Sequence, residues 1–191
     1  MIYDTPTRVA VYVDGSNFYH KMKSRELNIE NLTNFNFRGL AEKLVSGRTI
    51  VSCRYYVGVV RAEESNEKGQ KLRKEQQRLF AHLKSPNQNF VIKQGYIMNT
   101  NGVYHEKGVD VKLAVDLLVG AYDDLYDVAI LISSDTDLIP AIKKVHHLGK
   151  EVEYVGFSFK PSVALTAVSA RSRLLVKEDI ESFIATEAKL L

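Results

Sequence analysis

RVAVYVDG, residues 8–15, decides the fold. Val9, Ala10, Val11 and Val13 form a short β-branched run around one tyrosine, and it stops at Asp14-Gly15. Apolar side chains at both parities make a strand buried on both faces, and Asp-Gly after it is turn chemistry. VAILIS, residues 128–133, has the same character and runs into Ser134-Asp135-Thr136-Asp137. Further strands are predicted at 49–60, 89–94 and 151–156, with a hairpin at 96–104 turning on Thr100-Asn101-Gly102. Helical patterns fall at 17–24, 37–46 (Asn36 as cap, Gly47 as stop), 63–85, 109–122 and 137–148. Strands alternating with helices indicate a parallel, helix-covered α/β sheet. In such sheets ligands bind beyond the carboxyl ends of the strands. Asp14 and Asn17 follow one strand end there, and Asp135 and Asp137 follow another.

Composition limits what this sheet belongs to. The 191 residues suit one domain, and 45% hydrophobic content with four prolines excludes a disordered chain. Residues 157–191 read as a C-terminal helical extension packed on or beside that domain. Ile180, Phe183, Ile184 and Leu191 within it are expected to complete the core, with self-association as a homodimer the alternative. Cys53 stands alone, which excludes an internal disulfide and a cysteine-rich zinc site. No apolar run is long enough for a membrane span, and the first fifteen residues lack a basic start and an apolar stretch. A cytoplasmic protein is expected.

The net charge of +3 decides nothing, but its distribution is uneven. Eight acids lie between Glu106 and Asp137 against Lys107 and Lys112. Basic stretches flank this centre, at Lys68 to Lys84 and from Lys143 to Arg173. Each run alone reads as a solvated face; together they suit a protein that holds cations in one place and a polyanion around it. Two carboxylates 5 Å apart repel by roughly 3 kcal/mol at an effective dielectric near 20. A cluster of three or four therefore needs protons or a divalent cation, and oxygen ligands without histidine or cysteine suit Mg²⁺ or Mn²⁺.

Asp110 adds a third source. On a 3.6-residue helix it shares an otherwise apolar face with Ala114, Leu117 and Ala121, where an acid needs an explanation. Asp116 falls about 120° away, on the side of Lys112, where a solvated ion pair accounts for it. His146 and His147, late in a helix, read as structural. In the helix over 63–85, Lys71, Lys74, Arg78 and His82 form a stripe fit to follow a nucleic-acid backbone. Tyr55, Tyr56, Tyr96 and Tyr104 offer stacking surfaces if they are not packing residues.

Read together, VYVDGSNFYH, KGVDVKLAVDLL and ILISSDTDLIPAI resemble the NYN domain, the LabA-like branch of the PIN-fold nucleases. The resemblance covers roughly residues 8–156. It implies a PIN-like three-layer α/β/α sandwich with a mainly parallel central sheet, and a ribonuclease that hydrolyses RNA phosphodiesters with Mg²⁺ or Mn²⁺. Carried over, Asp14, Asp110, Asp135 and Asp137 are the expected catalytic metal ligands, and Asp116 is an acid of the same motifs. Asn17 orients Asp14 or the phosphate, and Ser134 fills the small hydroxyl position. Lys107, Lys71, Lys74 and Arg78 are the expected RNA contacts; DNA is not excluded. The alternative is a PIN-like module that binds RNA or protein without cutting. A metal-adhesion motif starting at Asp14-Gly15-Ser16 is disfavoured because Phe18 removes an oxygen ligand. A dinucleotide site is disfavoured because the glycines that admit a pyrophosphate are missing.

Overall fold

The computed structural model describes residues 6–60, 67–100 and 103–184, with backbone alone at 96–100 and 103–107. The strands are β1 (Arg8–Asp14), β2 (Thr49–Val59), β3 (Val91–Thr100), β4 (Val103–Lys107), β5 (Val128–Ile132), β6 (Glu151–Phe157) and β7 (Arg171–Leu175). They form one sheet in the order β4-β3-β2-β1-β5-β6-β7. All neighbours are parallel except β4, which runs antiparallel to β3. Thr100 pairs with Val103, so Asn101-Gly102, the expected hairpin turn, lies outside the described residues.

β1 and β5 occupy the middle, which is why both read as continuous apolar runs. Val9, Val11 and Val13 join one buried cluster with Val128, Ile130 and Ile132; Ala10 and Tyr12 join the other with Ala129 and Leu131. α1 (Gly15–Met22), α2 (Phe37–Val45) and α3 (Glu67–Lys84) supply the first cluster's helical layer. α4 (Val109–Tyr122), α5 (Ile139–His147) and α6 (Val163–Val168) supply the second, giving three layers, α/β/α. α2 starts on the Asn36 cap foreseen from the sequence, whose side chain accepts from the Gly39 N–H. No helix among the described residues is long and apolar enough to cross a membrane.

The C-terminal segment departs from expectation. Residues 157–191 are expected as a helical extension, but over the described part, 157–184, α6 leads into β7, which adds a seventh strand on β6, and only then comes α7 (Lys177–Glu181). The first four residues of β7 are exposed, and Leu175 alone is buried. An edge strand with one neighbour lacks the apolar alternation that would announce it. Ile180 completes the first core cluster, with Phe183 and Ile184 packed against it; Leu191 lies outside the described residues.

Candidate active site

β1 ends at Asp14, and the parallel register sets Ile132 of β5 beside Val13. The next residues, Asp14 and Ser133, therefore emerge side by side. Asp14 is 5% exposed and caps α1: its Oδ1 accepts from the Asn17 N–H at 3.0 Å. Its Oδ2 accepts from the Ser133 hydroxyl at 2.8 Å. Ser133 Oγ in turn accepts the Asp135 N–H at 3.1 Å, and Asp135 Oδ1 accepts the Asp137 N–H at 2.9 Å. One chain of hydrogen bonds thus ties the two strand ends together. Gly15 permits the turn through lack of bulk, since a Cβ there would stand 2.3 Å from the Tyr55 ring and 2.6 Å from the Tyr56 carbonyl oxygen.

Ser133 is the residue sequence reasoning missed. Ser134 was expected at the hydroxyl position, but its Oγ is buried without a hydrogen-bond partner among the described residues. Strand register was the missing signal: it decides which serine faces Asp14, and it requires the β1–β5 pairing. Ser133→Ala removes a partner from both Asp14 and the Asp135 N–H. It is expected to cost about 1–3 kcal/mol, read as a lower urea midpoint with an unchanged slope.

α4 delivers the third segment. It begins at Gly108 with φ of 76° and no side-chain cap, and Val109 is buried. Asp110 follows in the first turn and is largely exposed, off the packed apolar face that its helical phase suggests. Partial burial, and then the negative charges of Asp135 and Asp137, hold its carboxyl above the usual carboxylate range. These three acids therefore share one field. A raised pKa means that ionised Asp110 works against the fold, an effect absent at low pH and developing as pH rises through its titration range. Asp110→Asn is expected to raise the thermal midpoint of the metal-free chain at neutral pH by about 1–2 °C. The gain should vanish in acid, where Asp110 is protonated in both states.

Asp116 is not brought to this group. Tyr56 donates its hydroxyl to Asp116 Oδ2 at 2.9 Å, Lys93 Nζ lies at 3.1 Å and Arg54 Nη1 at 3.6 Å. The Tyr12 hydroxyl donates to the Asp116 carbonyl at 3.3 Å, beneath the Arg54 guanidinium. The charge of Asp116 is matched inside this network, between α4 and the sheet. Lys112, its expected partner, instead donates to the Gln94 carbonyl at 2.8 Å.

The other candidates divide. Lys71, Lys74 and Arg78 are exposed along α3, but His82 leaves the stripe, its Nε2 lying 2.8 Å from the Phe35 carbonyl. Tyr55 and Tyr56 are buried packing residues, not stacking surfaces. Burial pushes the Tyr12 phenol up to about 12 and the Cys53 thiol up to about 11, so neither ionises near neutrality. His146 accepts the Val152 N–H and is structural, as expected. The side chains of Lys107, Tyr96 and Tyr104 lie outside the described residues. Asn17 acts on Asp14 through its main-chain N–H. Among the described residues no three His, Cys, Asp or Glu side chains stand close enough together to hold a metal ion. The acids converge on one sheet edge without closing around a point.

No curated protein matches this chain. Among solved structures it is similar to a Vibrio parahaemolyticus protein of unknown function, with a TM-score of 0.68 and 20% identity over 94% of this chain and 99% of that one. At that identity the likeness speaks for the fold. The family model of the NYN domain matches residues 8–175, a span that holds every acid discussed above and runs through β7. The chain belongs to the NYN domain family, within the PIN-like nuclease superfamily.

Proposed function

We propose that this protein is a divalent-metal-dependent nuclease that hydrolyses RNA phosphodiester bonds. The observation that carries the reading is the convergence of Asp14, Asp110 and the Asp135/Asp137 pair, from three distant segments, at the carboxyl edge of one parallel sheet. The donor set fits a hard cation: all the groups are carboxylates, and Asp110, partly buried, also lies in the field of two others. The Ser134 hydroxyl beside Asp135 is a further polar atom at this strand end, buried and without a hydrogen-bond partner among the described residues.

Asp14, Asp110 and Asp135 would hold Mg²⁺ or Mn²⁺, with Asp137 assisting. Such an ion supplies a hydroxide nucleophile at neutral pH and offsets charge on the phosphoryl group. Asn17 and Ser133 hold the Asp14 carboxylate in place by hydrogen bonds at both oxygens. Lys71, Lys74 and Arg78, exposed on α3, would follow the sugar-phosphate backbone. Asp116, its charge already matched by Arg54 and Lys93, supports α4 from beneath.

The test is cleavage of labelled single-stranded RNA by the purified chain, with DNA of the same sequence in parallel. Cleavage that requires Mn²⁺ or Mg²⁺ and stops on chelation is the expected result. Activity that survives EDTA would refute the mechanism. Tight RNA binding with no cleavage under Mn²⁺ would assign the chain to the non-cutting alternative.

A further inference from the structure

α4 carries apolar residues on every side, yet only one side is covered. Val109, Leu113, Leu117, Gly120 and Ala121 face the sheet. On the opposite side Val111, Val115, Val119 and Tyr122 are 67%, 49%, 45% and 60% exposed. Steps of four, four and three residues align them in one stripe, which exposed Leu125 continues just past the helix end. The contrast with α3 lies within the same chain: the outward positions there are Lys71, Arg73, Lys74, Glu75, Gln77 and Arg78, with Leu72 a single exposed apolar residue among them. Valine at an outward helical position lowers helix propensity, and a contiguous exposed apolar strip marks a binding surface.

We propose that this stripe is a homodimer interface, in which two copies pair α4 against α4, antiparallel, about a two-fold axis. Such an axis sets Val111 against the partner's Tyr122 and Val115 against the partner's Val119. It also sets Lys112 beside the partner's Asp123. Lys112, whose ammonium keeps two donors beyond its bond to the Gln94 carbonyl, and Asp123 are both exposed and border the stripe at its opposite ends, so the two-fold forms the ion pair twice. That charge complementarity selects a second copy of this chain as the occupant. α4 has 14 residues and is about 21 Å long. One helix face of that length lies at the low end of specific interfaces, so the dimer is of micromolar strength. Each Asp110 precedes its stripe by one residue, which leaves the two acid sites at opposite ends of the paired helices.

Sedimentation equilibrium of the full chain, from low to high micromolar, is expected to show a reversible monomer–dimer equilibrium. Val115→Glu should raise the dissociation constant at least about tenfold, because each new carboxylate is then buried against an apolar side chain of the partner copy with no counter-charge. Lys112→Glu and Asp123→Lys should each weaken the dimer, and the double exchange should recover most of the loss. Glutamate forms helix better than valine, so these surface variants keep the native circular dichroism; Val119→Lys serves as a second probe if Val115→Glu does not. A chain monomeric at every concentration, or a dimer indifferent to Val115→Glu and Val119→Lys, overturns the proposal. Neither result depends on whether RNA is cut.

Discussion

Asp14→Asn is expected to abolish metal-dependent RNA cleavage, lowering the single-turnover rate at least about a thousandfold, equivalent to about 4 kcal/mol of transition-state stabilisation. The exchange changes charge with little change in shape. An asparagine carbonyl can still accept the Asn17 N–H that caps α1. Its amide faces Ser133 Oγ, whose hydroxyl can turn to accept. The thermal midpoint should therefore move little, while a carboxylate is lost from the group that includes Asp110 and Asp135. Cleavage and melting measured on one preparation separate the two effects. A folded Asp14→Asn protein that cuts at the native rate would remove Asp14 from the mechanism.

The second large effect concerns stability. Asp116→Ala removes the anion between Arg54 and Lys93 and the acceptor of the Tyr56 hydroxyl. These side chains are only 18%, 33% and, for Asp116, 20% exposed, so water does not fully replace the lost charge. The expected cost is about 2–3 kcal/mol, less than for a wholly buried pair because each end of the network reaches solvent. Urea unfolding measures it. Asp116→Asn keeps an acceptor for Tyr56 and should cost less, while cleaving within a few-fold of the native rate. Complete loss of cleavage in a folded Asp116→Asn protein would make it a reacting acid, as the family resemblance implies.

The sequence resolves what depends on local pattern. β1, β5 and α4 are legible because burial on both faces or on one stripe prints itself on nearest neighbours in the chain; α4 spans Val109–Tyr122 as predicted. Helical phase sets Asp110 and Asp116 on different sides of α4, but it puts Asp116 on the solvated side, whereas Asp116 is the more buried of the two, held between the helix and the sheet. What eludes the sequence depends on which strands adjoin. The partners of Asp116 come from β2 and β3, so Lys112, one turn away, is an obvious but mistaken choice. Ser133 and Ser134 are alike until β1 and β5 are set in register. β7 is hidden because an exposed edge strand of arginine, serine and leucine carries neither β-branched enrichment nor alternation. His82 falls on the basic stripe by spacing, and only the nearby Phe35 carbonyl withdraws it.

The pairing of β1 with β5 also sets an order of events during synthesis. The Ser133 hydroxyl that steadies Asp14 lies 119 residues further along the chain. At ribosomal rates that separation takes on the order of 10 s, during which the first strand can find β2 but not β5. The nascent chain thus carries its first acid long before the groups that complete the constellation exist. Any capacity to attack RNA is withheld until most of the polypeptide has left the ribosome, itself an RNA machine.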